Sequence, residues 1–370
     1  MTAHEVTGRL VLRDEILSGR VRIEGGRIAG VVADPDAARG PYVAPGFIDL
    51  HVHGWGGFGA MDGADALSGM ARALLRRGVT SFLPTAVSAP LDELRAFADT
   101  VRRWSAIAPS DGAAPAGFNL EGPFLSPRRR GAHATEYLRR PSDVAPDDVE
   151  DLVAGLRLIT IAPELDGAVD LIARLAARGV VVSLGHSDAT ADQAAAGYAA
   201  GARSTTHLFN AMSGVEHRRP GLAVAALADD AVRVELIADN HHVHPALWPI
   251  IVRVKPPSGV LLVSDAISLA GSGDGRTRVG GLDVEVRGDR STVVGSDTLA
   301  GSVIALDTAV RNMTAAGIAL TDAVAAASTN PATLVGLDDR GTIEPGRRAD
   351  LVELDDELRV VGVLREGRRV

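Results

Sequence analysis

Eight short apolar runs alternate with segments of helical period through the middle of the chain, and this alternation constrains the fold more than any other feature. Stretches such as ADALSGMARALLRRG and GAVDLIARLAARG separate the runs and repeat apolar residues at helical spacing. In chain order the runs are GFIDLHVH, VTSFLPTAV, FNLEGPFL, LRLITIAPE, VVVSLGHSD, STTHLFNAM, RVELIADNHH and GVLLVSDAI. Eight strand-then-helix units predict an α/β fold, a (β/α)8 TIM-type barrel over residues 47–337. An open doubly wound sheet is the alternative, but it usually has a Gly-rich loop where this chain has His-Val-His.

The two ends of the chain have a different texture, in which polar and apolar residues alternate over short runs. Gly25-Gly26 marks a tight turn in the first segment, and GRRADLVELDDELRVVGVLREGRRV contains three similar runs near the other end. We therefore expect residues 1–46 and 338–370 to form one small β-sandwich domain. A long insert, residues 271–302, separates the eighth run from the last helices and predicts a hairpin.

Composition excludes several classes of protein. A hydrophobic content of 46% over 370 residues supports a large core, and the net charge of -9 argues against a nucleic-acid partner. The chain has no cysteine, which excludes disulfides and thiolate ligands and leaves His, Asp and Glu to hold any metal. No signal-peptide core or bilayer-length apolar run is present, so we expect a soluble cytoplasmic protein without a membrane partner.

Six polar residues stand at the ends of the apolar runs. In a barrel the carboxyl ends of the strands meet at one face, so these side chains are expected to converge there. Any one of them could be an ordinary hydrogen-bonded group at a strand end, and Asp265 could be a helix N-cap. Six together would leave buried polar atoms unpaired unless a divalent cation compensates them. The six residues are His51, His53, Glu121, His186, His207 and Asp265.

The order of several motifs resembles that of the N-acetylglucosamine-6-phosphate deacetylases of the amidohydrolase superfamily, over nearly the whole chain. The resemblance implies a barrel with a β-sandwich made from both termini, a homodimer, and hydrolysis of N-acetylglucosamine 6-phosphate to glucosamine 6-phosphate and acetate in amino-sugar catabolism. The motifs are PGFIDLHVHGWGG, NLEGPFLSPRRRGAH, LGHSDAT, THLFNAM, PGL, DNHHVHP, LVSDAI and GTIEPGRRADLVELD.

The resemblance also implies a metal centre of one or two ions. Glu121, His186 and His207 would hold the principal ion, and His51 with His53 would complete a second site. Zinc or iron is expected, and manganese or cobalt suits the same ligands. Related enzymes bridge two metals with a carboxylated lysine on the fourth strand, but the single lysine of this chain, residue 255, precedes the eighth strand.

For the reaction itself, the resemblance assigns proton transfer to one carboxylate and substrate contacts to several loops. Asp265 is expected to accept the proton of the attacking water and to deliver one to the leaving amine. Sugar and carbonyl contacts fall to His133 and His242, although His241 or His244 could take the place of His242. The group expected to hold the phosphate is Asn210, Ala211 and Arg218. Arg219 and the run 128–130 are alternatives to Arg218, and the run is left out because charge runs are usually solvated.

Two positions depart from the family and leave the substrate more open than the reaction. Asn240 stands where glycine is common, and asparagine tolerates the left-handed backbone conformation better than most residues. Ile267 to Leu269 follow Asp265 where smaller residues are frequent, which would reshape the acyl pocket. The competing substrates are N-acetylgalactosamine 6-phosphate and other N-acylated sugar phosphates. A catalytically silent scaffold is a further alternative, disfavoured by the complete ligand set.

Overall fold

The computed structural model describes residues 4–370, and the first three residues of the predicted terminal domain lie outside this range. In the described chain the strands are β1 (His4–Val11), β2 (Ile16–Glu24), β3 (Arg27–Ala33), β4 (Tyr42–Pro45), β5 (Phe47–Val52), β6 (Gly54–Trp55), β7 (Phe58–Gly59), β8 (Val79–Ala86), β9 (Ala114–Pro115), β10 (Phe118–Glu121), β11 (Leu156–Ile161), β12 (Val181–Leu184), β13 (Ser204–Thr205), β14 (Arg233–Leu236), β15 (Val260–Leu262), β16 (Gly275–Val279), β17 (Leu282–Arg287), β18 (Arg290–Val293), β19 (Leu351–Leu354), β20 (Val360–Arg365) and β21 (Arg368–Arg369).

The α-helices follow most of the barrel strands. They are α1 (Ala64–Leu75), α2 (Leu91–Ser105), α3 (Pro146–Val153), α4 (Ala168–Ala177), α5 (Ala191–Ala199), α6 (Leu222–Ala228), α7 (Trp248–Val254), α8 (Leu306–Ala315), α9 (Leu320–Ala327) and α10 (Thr329–Leu334). Short 3-10 helices lie at Pro35–Arg39, Pro127–Arg129, Thr135–Tyr137, Pro141–Asp143, Pro245–Leu247 and Pro257–Gly259. Within residues 4–370, none of the helices combines the length and the apolar character needed to cross a bilayer.

The predicted barrel is confirmed, and each of the eight apolar runs contributes one of its parallel strands. Their spatial order is β15-β14-β13-β12-β11-β10-β8-β5, which is also their chain order reversed. A parallel bridge between Val52 and Ala266 joins the first strand to the segment that follows the eighth. The carboxyl ends of all eight strands therefore meet at one face.

Helix α2 illustrates how helical periodicity closes the outer layer. Its buried positions recur at intervals of three or four residues, so they form one stripe along the helix. Arg102 and Arg103 occupy the last turn, where positive charge favours the negative end of the helix dipole. The buried residues are Leu94, Phe97, Ala98, Val101 and Trp104.

The terminal segments form one seven-stranded sheet in the order β21-β20-β19-β4-β1-β2-β3, with a hydrophobic cluster of its own. The turn between β2 and β3 is at Gly25-Gly26, as expected, and both glycines have positive φ, +58° and +80°. The chain leaves this sheet after Pro45 and enters the barrel at Phe47. The exact domain boundaries stay a prediction.

The insert after the eighth barrel strand is larger than the predicted hairpin, because a third strand pairs with it. Strands β16, β17 and β18 form an antiparallel sheet. The backbone oxygen of Gly280, in the turn between β16 and β17, accepts a hydrogen bond of 3.2 Å from the N–H of Ala134. The insert therefore lies against the loop that follows the third barrel strand.

Candidate active site

The strand ends bring the six predicted residues together. His51 belongs to the end of β5, with His53 just beyond it, and Glu121 ends β10. His186, His207 and Asp265 follow β12, β13 and β15 by two or three residues. All six are at least nine-tenths withdrawn from solvent except His53, which is partly exposed as a residue but only 8% exposed in its side chain.

Glu121 lies at the centre of this cluster. Its Oε1 is 3.0 Å from His186 Nε2 and 2.9 Å from His207 Nε2. Its Oε2 is 3.2 Å from His53 Nε2, and Oε1 is 3.5 Å from His51 Nε2. One carboxylate therefore faces four imidazole nitrogens.

Imidazole nitrogens also approach one another in two pairs. His186 Nε2 and His207 Nε2 are 3.1 Å apart, and His51 Nε2 and His53 Nε2 are 3.2 Å apart. Tetrahedral ligands at roughly 2.0–2.1 Å from an ion lie roughly 3.3 Å from one another. The cluster thus fits a divalent cation, and it contains enough donors for two.

In three of these histidines the other ring nitrogen, Nδ1, forms a hydrogen bond with a residue outside the cluster. His51 Nδ1 contacts Glu235 Oε2 at 3.2 Å. His53 Nδ1 donates to the backbone oxygen of Thr85 at 3.1 Å. When Nδ1 carries the proton, the neutral ring presents an unprotonated Nε2, the form that binds a metal.

His186 is held in the same manner. Its Nδ1 donates to the backbone oxygen of Arg129 over 2.9 Å. The residues that hold the three rings, Glu235, Thr85 and Arg129, were not predicted from the sequence. The one signal for Glu235 is an acidic residue inside the apolar run RVELIADNHH. The backbone acceptors at Thr85 and Arg129 leave no signal in the sequence.

His133 reaches the same carboxylate but in the opposite tautomer. Its Nε2 is 3.1 Å from Glu121 Oε2, close enough for a place in a ligand set with His186. However, its Nδ1 accepts the backbone N–H of Ser88 at 3.2 Å, and burial lowers the pKa of the ring to about 4. A neutral ring that accepts at Nδ1 carries its proton on Nε2, so His133 is a hydrogen-bond donor, directed at Glu121 Oε2 at the edge of the cavity.

The carboxylates dominate the electrostatics of the cluster. Burial lowers the pKa of His53, but its hydrogen bonds to Asp265 and Glu121 raise it to about 9. Burial raises the pKa of Asp265, yet the positive charge of His51 and the bond to His53 hold it at about 2. Burial also opposes ionisation of Glu121, whose pKa the surrounding imidazoles hold well below its usual range. The cluster therefore favours bound positive charge, as a cation site must.

A cavity of about 400 Å³ opens beside these residues. Its walls include four residues expected to contact substrate, namely His133, Asn210, Ala211 and His242. Arg218 is exposed and does not line it, so its place at the phosphate stays a prediction. Arg128 and Arg129, from the run left out of the predicted site, do line the cavity.

Among the three neighbouring histidines, the cavity is lined by His242. Asp239 Oδ2 accepts from His242 Nδ1 at 2.7 Å, which fixes the ring. His241 pairs instead with Asp289 at 3.2 Å, and His244 accepts a backbone N–H at the start of a 3-10 helix. The geometry therefore favours His242 over its two neighbours.

Left-handed backbone conformations concentrate in the loops of this site. Non-glycine residues with positive φ include His186 (46°), His207 (27°), Ala211 (47°) and Asp265 (50°). Asn240 also has positive φ, 71°, as its tolerance of that conformation suggested. Such strained positions cluster at functional sites, where surrounding contacts hold them in place.

Known proteins are similar to this chain in both sequence and fold. Residues 42–370 match the model of the amidohydrolase family. The chain is 37% identical to an N-acetylgalactosamine-6-phosphate deacetylase of Escherichia coli O157:H7, over 99% of this chain and 98% of that protein. It is 40% identical to an N-acetylglucosamine-6-phosphate deacetylase of Bos taurus, over 87% and 81%. A structure of the Mycobacterium smegmatis N-acetyl-D-glucosamine-6-phosphate deacetylase, with N-acetyl-D-glucosamine-6-phosphate bound, superposes with a TM-score of 0.93 at 35% identity, covering 100% of this chain and 99% of that one.

The chain has a parallel barrel with histidines and carboxylates at its carboxyl-end face, an arrangement typical of metal-dependent hydrolases. Together with the family match, this shows that the chain belongs to the amidohydrolase family. Within that family it belongs with the N-acetylglucosamine-6-phosphate deacetylases, to which it is similar over nearly its whole length.

Proposed function

We propose that this protein hydrolyses the N-acetyl amide of N-acetylglucosamine 6-phosphate and releases glucosamine 6-phosphate and acetate in amino-sugar catabolism. The observation that carries the proposal is the convergence of five imidazoles on Glu121, beside Asp265, at the edge of a cavity of about 400 Å³. Ligand cavities of roughly 300–1,000 Å³ are usual for small molecules, so a monosaccharide phosphate suits this volume.

The metal ligands in this proposal are Glu121, His186 and His207, with His51 and His53 for a second ion. When bound, a divalent ion supplies Lewis acidity, which polarises an amide carbonyl and makes water acidic near neutral pH. Zinc and iron are the leading candidates, and manganese and cobalt accept the same ligands.

Asp265 moves the protons. Its Oδ1 lies 3.2 Å from His53 Nε2 and 3.5 Å from His51 Nε2, at the border between the ligands and the cavity. As the water oxygen adds to the amide carbon, the Asp265 carboxylate accepts the water proton. It then donates this proton to the amide nitrogen, the C–N bond breaks, and acetic acid and the free amine leave; near neutral pH the acid ionises to acetate and the amine takes up the released proton.

Two histidines and two apolar side chains orient the substrate. The protonated Nε2 of His133 donates to an oxygen of the substrate, and His242, fixed by Asp239, contributes a second polar contact. Ile267 and Leu299 line the cavity and provide an apolar surface for the acetyl methyl group. Phosphate recognition falls to Asn210, Ala211 and Arg218, as the resemblance implied.

N-Acetylgalactosamine 6-phosphate is a second candidate substrate, favoured by the similarity of this chain to the N-acetylgalactosamine-6-phosphate deacetylase of Escherichia coli O157:H7. The two sugars differ only in the configuration at one hydroxyl carbon. Acetate release from both phosphorylated sugars and from the unphosphorylated sugars, measured on protein of known metal content, tests the proposal. A higher kcat/KM for N-acetylglucosamine 6-phosphate supports it, whereas absence of acetate release from all four compounds would overturn it.

We further propose that the protein acts as a homodimer in the cytoplasm. Arg218 is exposed on a single chain and does not line the cavity of that chain, which is consistent with a contact to a neighbouring subunit. A phosphorylated sugar is charged and does not cross a membrane unaided, which supports hydrolysis in the compartment where the sugar is phosphorylated. Light scattering of the purified protein tests the dimer, and a monomeric mass would overturn it.

A further inference from the structure

Four hydrogen bonds join the loop after the third barrel strand to the segment after the fifth. The N–H of Ser126 donates to the oxygen of His186 at 2.8 Å, and His186 Nδ1 donates to the oxygen of Arg129 at 2.9 Å. Two side chains of the loop then reach Asp188: Arg129 Nε at 2.8 Å and Arg128 Nη1 at 3.4 Å. The loop that carries both arginines is therefore held at the edge of the cluster.

Asp188 is itself held in place. Its backbone N–H donates to Glu164 Oε1 at 2.6 Å, and the hydroxyl of Ser187 donates to Glu164 Oε2 at 2.7 Å. This carboxylate is thus fixed in position, and it engages Arg129 through Nε. Among residues 4–370, no acceptor engages the two terminal amino groups of Arg129.

The same loop lies beside the residues expected to hold the phosphate. A Cβ placed on Gly131 would lie 3.7 Å from the Cβ of Ala211 and 3.0 Å from Cε1 of His186. The backbone N–H of Ala211 makes no hydrogen bond with any residue of the described chain, 4–370. The loop that carries Arg128 and Arg129 and the unpaired N–H of Ala211 therefore lie side by side at the cavity, and each guanidinium keeps donors that Asp188 does not engage.

We propose that Arg128 and Arg129 bind the phosphate of the substrate from within the same chain, with Asp188 as the positioning residue that holds the Arg129 guanidinium at the cavity. The proposal rests on the proposed function, because it names the residues that recognise its phosphate. A guanidinium presents several N–H donors in a planar fork that matches phosphate oxygens. The backbone N–H of Ala211 adds a neutral donor on the same wall.

Measurement of kcat/KM with N-acetylglucosamine 6-phosphate and with N-acetylglucosamine tests this. In Arg128→Gln, Arg129→Gln and the double variant, we expect the preference for the phosphorylated sugar to fall, by roughly 10- to 100-fold in the double variant. The loss is expected in KM for the phosphorylated sugar, with little change for the other one. Inorganic phosphate should inhibit the double variant more weakly than the unmodified protein. Arg140→Gln, at an exposed arginine paired with Asp166 outside the cavity, is the control and should keep the preference.

Asp188→Ala should raise KM for the phosphorylated sugar and leave kcat for the unphosphorylated sugar unchanged, a split that a loss of folding would not produce. An unchanged preference in the double variant overturns the proposal and leaves the deacetylase function standing. If the unmodified protein releases acetate equally fast from both sugars, the phosphate-specific function is wrong. The proposal for Arg128 and Arg129 is then wrong as well. Arg128→Gln alone decides the matter if the double variant does not fold, because the Arg128 side chain is 83% exposed.

Discussion

Glu235 and His51 form a hydrogen bond deep in the barrel, with His51 Nδ1 lying 3.2 Å from Glu235 Oε2. Both side chains are fully buried, and the same oxygen accepts the backbone N–H of His207 at 3.3 Å. One carboxylate therefore orients one proposed metal ligand and the backbone of a second. Because Nδ1 is held by Glu235, the neutral ring of His51 would present its Nε2 lone pair to a bound metal.

Replacement of Glu235 should weaken metal binding without direct contact with the metal. Glu235→Leu removes both hydrogen bonds, and we expect metal affinity to fall by roughly 10- to 100-fold. Glu235→Gln keeps an oxygen at this position and should lose less. Titration against a competing chelator measures the affinity. Glu353→Gln, at a buried carboxylate in the terminal sheet, is the control, and equal losses in all three variants would refute the role of Glu235.

Asp265→Asn should abolish most of the activity while metal content is retained. Asparagine tolerates the positive φ of this position, 50°, so the backbone is expected to keep its conformation. Without a carboxylate to accept the proton of water, acetate release should slow by roughly 10²- to 10⁴-fold. Asp274→Asn, in the exposed insert, controls for loss of one carboxylate. Acetate release at the normal rate would rule out proton transfer by Asp265.

His133 and His186 should respond differently to removal. His133→Ala is expected to lower kcat with unchanged metal content, because the ring presents Nε2–H to the cavity. His186→Ala should instead lose metal. Elemental analysis of both purified variants separates the two roles. A comparable loss of metal in His133→Ala would make His133 a ligand, which its distance of 3.1 Å from Glu121 Oε2 also permits.

Gly131→Ala tests the contact between the arginine-bearing loop and His186. The new Cβ would lie 3.0 Å from His186 Cε1, and the residue has φ of +55°. Gly288→Ala is a matched control, since its φ is +62° and nothing lies within 4 Å of its Cβ position. Both variants should lose roughly 1–2 kcal/mol of stability in thermal or denaturant unfolding, because alanine is strained at positive φ. Only Gly131→Ala should also weaken metal binding, and equal metal affinity in both would contradict this contact.

Asp239→Asn should lower the pKa of His242. Burial lowers this pKa, but the bond and charge of Asp239 raise it above its ordinary value. Removal of the charge leaves burial to act alone, and the shift is measurable by NMR titration of labelled histidine. The raised pKa also stabilises the unmodified fold below the ordinary histidine pKa, and this contribution is lost as pH rises through the raised value. An unchanged His242 pKa in Asp239→Asn would show that Asp239 does not set it.

Much of the site could be predicted because, in a barrel, the residue at the end of each strand lies at the same face of the fold. Apolar runs identified the strands, and the carboxyl ends of parallel strands must meet, so polar residues at those ends had to converge. His51 and Asp265 could therefore be grouped although they lie at the ends of the first and the eighth barrel strands, far apart along the chain. The ring tautomers could not be predicted, because they depend on backbone groups such as the oxygen of Arg129 and the N–H of Ser88.

The sequence by itself determined the barrel, the cysteine-free ligand set and the order of motifs, because hydrophobic periodicity and residue type are local properties. Tertiary structure alone decided which of three neighbouring histidines lines the cavity, and it placed Arg128 and Arg129, rather than Arg218, on the wall within one chain. A charge run that looked solvated is held by Asp188, from a different strand end. Such a contact joins side chains about 60 residues apart, and no local pattern records it.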